Sequence, residues 1–282
     1  MGDLIDLPGL HRHGQSGYFS LAELPQRASI AADCWGTGWW ELDQIFKFYH
    51  GQFVVVTGIA GHGKSTLILN MLCNIAREQG RRTFAYVPEN EGHLRAKLQK
   101  IWADDKTFNQ FCAEQFYVQS AVPEFDERPR TMGWVLERAV VAVNRDKCDV
   151  VLIDPWNELE RARGRDQLMT DYIGQCLMML KDFCRTMQVS VIVVAHPTKA
   201  VNENGGRLPG LADIEGSMNW FNKCDNGLIV HRDPEKPNTC QVISAKVREQ
   251  PDAGKRGSAF FWVDPETGKF TPQVGGVLPD EH

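Results

Sequence analysis

The segment "FVVVTGIAGHGKST", residues 53–66, constrains the fold of this chain more than any other. A run of apolar, mostly β-branched residues ends at Gly58, and Gly63, Lys64 and Ser65 follow at the spacing G-x-x-x-x-G-K-[ST]. Apolar side chains then recur at helical spacing. A glycine-rich turn between a buried strand and the start of a helix presents backbone N–H groups to an anion. The pattern therefore predicts a phosphate-binding loop.

Such a loop predicts that the chain binds ATP or another nucleoside triphosphate together with Mg²⁺. The Lys64 ammonium is expected to reach the β- and γ-phosphates, and the Ser65 hydroxyl to ligate Mg²⁺. Asp154, which ends the apolar run of "DVVLIDP", is the second expected Mg²⁺ residue. The alternatives are a turn that caps a helix without a ligand and an Asp that caps a turn. The loop residues expected to contact the nucleotide are Gly58, Ala60, Gly61, His62, Gly63, Lys64, Ser65 and Thr66.

The catalytic base is expected outside the Asp154 segment. Many ATPases with this loop place a water-polarising Glu directly after the Asp, but Pro155 occupies that position here. Glu89 follows the apolar run of "TFAYVP" at the tip of the expected neighbouring strand, where its carboxylate can face the γ-phosphate. Glu91 and Glu158 are alternative bases, and a solvated turn residue is the alternative role for Glu89.

A histidine ends a further apolar run, "VSVIVVAH", at His196. A polar side chain at a strand tip near the switch point of an α/β sheet is well placed to sense a phosphate. The alternative is a histidine whose hydrogen bonds are satisfied in the core. We interpret His196 as a phosphate sensor.

The alternation of apolar strands and amphipathic helices predicts an α/β fold with a mostly parallel central sheet and helices on both faces. After Pro197 the pattern changes to "NGLIVHRD", "QVISAKVRE" and "SAFFWVD", which predict antiparallel strands joined by short turns. We assign residues 1–34 to a linker or docking arm with a helix at "SLAELPQRA", residues 35–272 to the ATPase domain, and residues 273–282 to a tail.

Composition excludes several classes of protein. The 282 residues are 43% hydrophobic and 24% charged, which is an ordinary globular mixture. A net charge of −5 argues against a nucleic-acid coat protein, although a local basic groove stays compatible with it. The eight cysteines show no zinc-binding spacing, and neither a signal peptide nor an apolar run of about 20 residues is present. We therefore expect a cytoplasmic protein without a membrane partner.

The ordered set of motifs resembles the RecA-like ATPase core of replicative ring helicases. The likeness is greater to the helicase half of phage-type primase–helicases and the mitochondrial helicase Twinkle than to bacterial DnaB, and it covers roughly residues 39–268. It implies a homo-oligomer, expected to be a hexameric ring, of phage or bacterial origin. It also implies single-stranded DNA as a partner, with a primase or polymerase acting in trans. The chain is expected to be a stand-alone subunit or part of a primase–helicase.

The resemblance also implies that loops after two of the strands bind DNA in the centre of the ring. The loop "NELERARGRDQ" contains Arg161, Arg163 and Arg165, and the longer loop after His196 contains Lys199 and Arg207. Repeated around a ring, such cations make sequence-independent and salt-sensitive contacts with phosphates. The alternative is that the arginines form solvated surface pairs with neighbouring acids of their own loop.

Three further cations acquire roles from the resemblance. Arg232 in "VHRDP" matches the position at which relatives stack an Arg on the nucleotide base. Lys246 and Arg248 in "AKVRE" match a strand that reaches across the subunit seam to the γ-phosphate, with Arg248 as an arginine finger in trans and Lys246 assisting. No anion nearby in the sequence is expected to pair with them. The alternatives are exposed charges at a strand end or on a solvated strand face.

Together these features predict an ATP-dependent DNA helicase that couples hydrolysis at subunit interfaces to translocation on single-stranded DNA and to unwinding. A RecA- or RadA-like recombination ATPase that forms filaments is one alternative. A KaiC-like regulatory ATPase, which uses the same core for switching, is another. The resemblance implies movement from 5′ to 3′.

Overall fold

A nine-stranded sheet forms the centre of this computed structural model, which describes residues 30–122, 126–198, 208–216 and 218–279. The sheet has the strand order β11-β10-β9-β8-β3-β7-β6-β4-β5, and β1 and β2 form a separate pair. The strands are β1 Cys34–Trp35, β2 Phe48–Tyr49, β3 Phe53–Thr57, β4 Thr83–Tyr86, β5 Phe116–Val118, β6 Val150–Ile153, β7 Ser190–Val194, β8 Asn226–His231, β9 Thr239–Val247, β10 Gly257–Val263 and β11 Phe270–Pro279. The helices are α1 Ile30–Asp33, α2 Trp40–Asp43, α3 Lys64–Gln79, α4 Glu91–Trp102, α5 Asp105–Glu114, α6 Met132–Asp146, α7 Met169–Met187 and α8 Met218–Lys223.

Six neighbouring strands, from β8 to β5 in the sheet order, are parallel. Strands β3, β4, β6 and β7 are buried along their whole length, because helices cover both faces of the sheet. This arrangement confirms the α/β fold that the sequence predicts. All parallel strands finish at the same edge of the sheet, which we call the C-terminal edge, and start at the opposite, N-terminal edge.

The antiparallel part of the sheet begins one strand later than the sequence predicts. Strands β9, β10 and β11 are antiparallel to their neighbours, as expected. The "NGLIVHRD" strand, β8, pairs with β3 in parallel and with β9 in antiparallel orientation. Its assignment to the antiparallel addition is therefore wrong for the pairing with β3. The consequence is functional, because β8 ends at the C-terminal edge and carries Arg232 there.

Two apolar cores lie on the two faces of the sheet. Helices α2, α3, α4 and α5 pack over one face, where Leu72 and Phe261 are fully buried. Helices α6, α7 and α8 pack over the other, where Leu180 and Trp220 are fully buried. The side-chain volume on both faces fixes the strand ends in place, so that loops at the C-terminal edge start from a rigid base.

Three elements differ from the sequence expectation or extend it. Helix α5 follows α4 directly, and the Asp104 carboxylate caps it by accepting a hydrogen bond from the Lys106 N–H. The short helix α8 precedes β8. Strand β11 continues to Pro279, so the sheet includes residues that the sequence assigns to a tail. The helix expected at "SLAELPQRA" lies outside the described residues.

Candidate nucleotide-binding site

The loop from residue 58 to 63 connects the C-terminal end of β3 to the start of α3 and depends on its glycines. Gly58, Gly61 and Gly63 have φ angles of 144°, 81° and 92°, values that side chains with a Cβ rarely adopt. A Cβ on Gly58 would lie 2.2 Å from the Val230 carbonyl oxygen of β8. The tight turn therefore lets the helix start directly over the strand end, with its N–H groups turned to the loop.

The Lys64 side chain occupies the centre of this loop. Its Nζ donates hydrogen bonds to the carbonyl oxygens of Gly58 at 2.8 Å and Ile59 at 3.0 Å. Burial lowers the pKa of Lys64 to about 8, although the negative charges of Asp154 and Glu89 oppose this effect. A phosphate group in the loop would restore a full counter-charge to this ammonium.

Ser65 and Asp154 meet beside the loop, as the sequence predicts for a Mg²⁺ site. The Ser65 hydroxyl hydrogen bonds to the Asp154 carboxylate, which is buried at the end of β6. Burial raises the pKa of Asp154 to about 6, and the Glu89 carboxylate adds to this rise, whereas the Ser65 hydrogen bond opposes it. A hard cation would relieve the repulsion between these carboxylates, and oxygen donors are the ligands that Mg²⁺ prefers. The residues therefore fit a magnesium ion.

The three candidate bases occupy different environments. Glu89 lies exposed on a short turn after β4, and its charge acts on both Lys64 and Asp154. Glu91 is engaged elsewhere, because its carboxylate accepts a hydrogen bond from the Ala121 N–H at 2.8 Å. Glu158 is exposed beyond the end of β6. Of the three, Glu89 combines a free position with proximity to the phosphate loop, which favours it as the base.

His196 follows β7 at the same edge. Its backbone N–H donates to the Asn157 side-chain oxygen at 3.1 Å, and the buried Nδ1 atom has no hydrogen-bond partner among the described residues. Burial lowers the pKa of His196, and the charge of Lys64 lowers it further. The structure thus brings a neutral imidazole close enough to Lys64 to feel its charge, which is the position expected of a phosphate sensor.

Arg232 lies over the phosphate loop from the end of β8. A Cβ built on Gly63 would be 3.5 Å from Arg232 Nη2 and 3.6 Å from the Phe270 ring. The Arg232 Nε is buried without a hydrogen-bond partner among the described residues, and its backbone N–H donates to Nδ1 of His62 at 3.1 Å. The guanidinium is therefore placed beside the loop, where sequence analysis predicts contact with the base.

Asn70 belongs to this region, although sequence analysis did not single it out. From the second turn of α3, its amide donates to the Thr66 and Gly268 carbonyl oxygens at 2.8 and 3.0 Å. Its side-chain oxygen accepts from the Phe270 N–H at 3.0 Å. These bonds hold the β10–β11 turn against the phosphate-loop helix. Only an Asn at helical spacing pointed to it, which is a weak signal.

The basic loop after β6 is exposed at the C-terminal edge. Arg161 forms an ion pair with Glu215 at 2.6 Å, so the neighbouring acids of its own loop are not its partners. Arg163 donates to the Gln167 carbonyl oxygen at 2.5 Å, and Arg165 is exposed. The two cations of the second predicted DNA loop, Lys199 and Arg207, lie outside the described residues.

Lys246 and Arg248 lie at the N-terminal edge, away from the phosphate loop of their own chain. Arg248 Nε forms an ion pair with Asp225 at 2.6 Å. The Lys246 ammonium donates to the Phe221 carbonyl oxygen and lies 5.0 Å from the centre of the Phe221 ring. The expectation that no nearby anion pairs with these cations is wrong for Arg248. Asp225 precedes β8, and its pairing depends on strand order, which local sequence does not reveal.

The fold and the site define a P-loop ATPase with a RecA-like core. Residues 46–202, more than half of the chain, match the AAA domain family. The chain belongs to this family and contains an AAA-type ATPase domain.

Comparison with individual proteins agrees with this assignment. The chain is 34% identical over 259 residues to the Twinkle homolog protein, chloroplastic/mitochondrial, of Arabidopsis thaliana, matching 83% of this chain and 36% of that protein. The chain thus spans about a third of that relative's length. A solved structure of an isolated ATPase domain has a TM-score of 0.68 and 19% identity, covering 84% of this chain and 90% of that one. A DnaB-like replicative helicase, studied with its primase interactions, has a TM-score of 0.68 and 19% identity over 88% of this chain and 64% of that chain. These likenesses confirm the predicted resemblance to a replicative helicase core.

No helix among the described residues is both long enough and apolar enough to span a membrane.

Proposed function

We propose that the protein is an ATP-driven motor on single-stranded DNA, which hydrolyses ATP at the seams of a ring of identical subunits and so unwinds duplex DNA. Residues 35–272 would hold this activity, with residues 1–34 as a docking arm. One observation carries the proposal. The phosphate loop lies at the C-terminal edge of the sheet, whereas Arg248, the predicted finger, lies at the N-terminal edge. A finger so placed can reach only the nucleotide of another subunit.

The residues of the site divide the chemistry among them. Lys64, with the loop N–H groups, would bind the phosphates. Glu89 would accept the proton of the attacking water as the new oxygen–phosphorus bond forms. His196 would report the loss of the γ-phosphate, and Arg232 would hold the base. Mg²⁺ held by Ser65 and Asp154 would neutralise charge on the phosphates.

Mixed rings test the arrangement in trans. Lys64→Ala and Arg248→Ala subunits should each hydrolyse ATP poorly when assembled alone. A mixed ring contains seams that pair the intact phosphate loop of an Arg248→Ala subunit with the intact Arg248 of a Lys64→Ala subunit, so turnover should partly recover. Turnover that stays at the level of the separate variants, in rings shown to contain both, would contradict a finger in trans.

DNA dependence and shape test the rest of the proposal. Single-stranded DNA at low salt should stimulate ATP turnover, and negative-stain images with ATP and DNA should show closed rings. Filaments would indicate a recombination-type ATPase. Turnover that does not respond to DNA would indicate a regulatory ATPase. A strand-displacement assay with a duplex bearing a single-stranded tail then measures unwinding and its polarity directly.

A further inference from the structure

Asp225, immediately before β8, is a buried carboxylate at the N-terminal edge with three partners. Its Oδ1 pairs with Arg248 Nε at 2.6 Å and with Lys181 Nζ of α7 at 3.0 Å. Its Oδ2 accepts a hydrogen bond from the Phe53 N–H at 2.9 Å. Phe53 is the first residue of β3, the strand that ends in the phosphate loop. One side chain therefore joins the loop strand to the predicted finger.

The pairing uses one side of the Arg248 guanidinium and leaves the other available. Nε is held by Asp225, Nη2 makes a long 3.4 Å contact with the Cys224 carbonyl oxygen, and Nη1 has no acceptor among the described residues. The Arg248 side chain is 40% exposed, whereas that of Asp225 is 6% exposed. A guanidinium fixed through Nε presents its terminal nitrogens outward, in the planar fork that suits phosphate oxygens.

The cluster also keeps Asp225 compensated if Arg248 shifts. Lys181 stays beside the carboxylate, and its ammonium is additionally fixed by the Lys223 carbonyl oxygen at 3.0 Å. Breaking a buried pair is costly when it leaves a charge unpaired. Here the second cation removes that cost, so the finger can swing toward a phosphate while the carboxylate keeps its hold on Phe53.

We propose that Asp225 is a positioning residue for the trans reaction: it aims Arg248 at the neighbouring subunit's nucleotide and ties that aim to its own β3. This inference rests on the proposed function. Because the Phe53 N–H and the Arg248 guanidinium share one carboxylate, a shift of β3 when the subunit's own loop fills would move the finger. Asp225 would thereby link successive nucleotide sites around the ring.

Three variants test the positioning role. Asp225→Asn keeps an acceptor for the Phe53 N–H but loses the charge that orients Arg248. Asp225→Glu keeps the charge and pushes the guanidinium outward. Both should assemble and bind ATP with unchanged KM, yet lower kcat on the order of 10- to 100-fold, because small misplacements of a transition-state contact are expensive. Lys181→Met is the matched control, since it removes a cation from the same carboxylate without touching Arg248, and its kcat should stay at the wild-type value.

Two further measurements separate positioning from simple structural damage. In the Arg248→Ala background, Asp225→Asn should lower kcat no further, because it acts through Arg248. In rings mixed with Lys64→Ala subunits, Asp225→Asn should recover turnover, since its intact loop meets a well-aimed Arg248. A defect carried through Phe53 to its own loop would give no such recovery. Thermal unfolding of each variant shows whether the fold survives.

The outcomes separate this inference from the proposed function. Recovery in rings of Lys64→Ala and Arg248→Ala, together with wild-type kcat for Asp225→Asn and Asp225→Glu, would overturn the role of Asp225 alone. An equal loss of kcat in Lys181→Met would do the same, because the cluster would then be structural. Absence of recovery in the Lys64→Ala and Arg248→Ala rings would overturn both proposals.

Discussion

The histidine in the phosphate loop is tied to the strand that carries the base-binding arginine. His62 Nδ1 accepts the Arg232 N–H, which requires a neutral imidazole with its proton on Nε2. Burial lowers the pKa of His62, and the charges of His231, Lys64 and Arg232 lower it further. Protonation would place two N–H groups against each other, so the tie between loop and β8 exists only in the neutral form.

This tie predicts a pH dependence of stability. The folded-state pKa of His62 lies below the unfolded value of about 6.5, so its contribution is complete above that pH and is lost as pH falls through the folded pKa. His62→Asn keeps an acceptor for the Arg232 N–H but does not titrate. Chemical unfolding between about pH 7 and pH 5 should therefore show a shallower loss for the variant. Parallel curves for both proteins would contradict the tie.

A second prediction concerns the catalytic base. Glu89→Gln should bind ATP normally and lose hydrolysis, because an amide cannot accept a proton from water. Glu91→Gln is the matched control: it retains an oxygen for the Ala121 N–H, so both binding and turnover should persist. Nucleotide binding and single-turnover hydrolysis measure the two effects separately. Wild-type hydrolysis in Glu89→Gln would assign the role to Glu91 or Glu158.

The residues found from sequence and those missed differ in how far apart their partners lie. The phosphate loop is local, so Gly63, Lys64 and Ser65 were predictable from spacing alone. Asp225 contacts Phe53, Lys181 and Arg248, which come together only once the sheet order is set. Spacing in a single sequence contains no information on such contacts.

At the scale of elements, the turn between β10 and β11 is fixed to α3 by one side chain. Asn70 is buried and satisfies both the Gly268 carbonyl oxygen and the Phe270 N–H. Phe270 in turn lies beside Gly63 and packs against Phe261 at a centroid distance of 5.8 Å. The antiparallel strands thereby contact the helix that begins at the phosphate loop.

Loss of that amide should be costly. Asn70→Ala leaves a carbonyl oxygen and an N–H group without their partner, and we expect the free energy of unfolding to fall by about 2–3 kcal/mol. Asn74→Ala is the control, because Asn74 is only partly buried and donates one 3.3 Å bond to the Thr37 carbonyl oxygen. Its expected loss is about 0.5–1 kcal/mol. Equal losses in urea unfolding would show that the tie contributes little.

Element types were predictable where the apolar pattern was long, as in α3, α6 and α7. The sequence did not separate α5 as a helix, because only two of its ten residues, Phe108 and Phe111, are buried. The orientation of β8 could not be predicted either. Its short apolar run fits a parallel or an antiparallel strand, and the choice depends on pairing with β3, which lies far earlier in the chain.

At the scale of the whole molecule, the distribution of charge matters more than its sum. The net charge is −5, yet Arg163 and Arg165 lie exposed in one loop at the C-terminal edge. A ring would repeat these cations around its centre. Contacts of this kind with DNA phosphates release counterions, so binding weakens as salt concentration rises.

The last prediction uses this dependence to locate the DNA path. Replacing Arg163 and Arg165 by Ala, or Lys199 and Arg207 by Ala, should weaken binding of single-stranded DNA equally for all base sequences. The slope of log K against log salt should become shallower by about one per lost phosphate contact. ATP turnover without DNA should be unchanged, because none of these side chains belongs to the nucleotide site.

Arg145 provides the control for this experiment. It is 72% exposed, pairs with Asp146, and lies in the last turn of α6 at the opposite, N-terminal edge of the sheet. Arg145→Ala removes a positive charge from outside the expected path, so its salt slope should equal that of the wild type. An effect as large as that of the loop variants would mean that DNA responds to the overall charge. A slope changed in only one loop pair would assign the path to that loop, since the free energy of each phosphate contact is local to the cation that makes it.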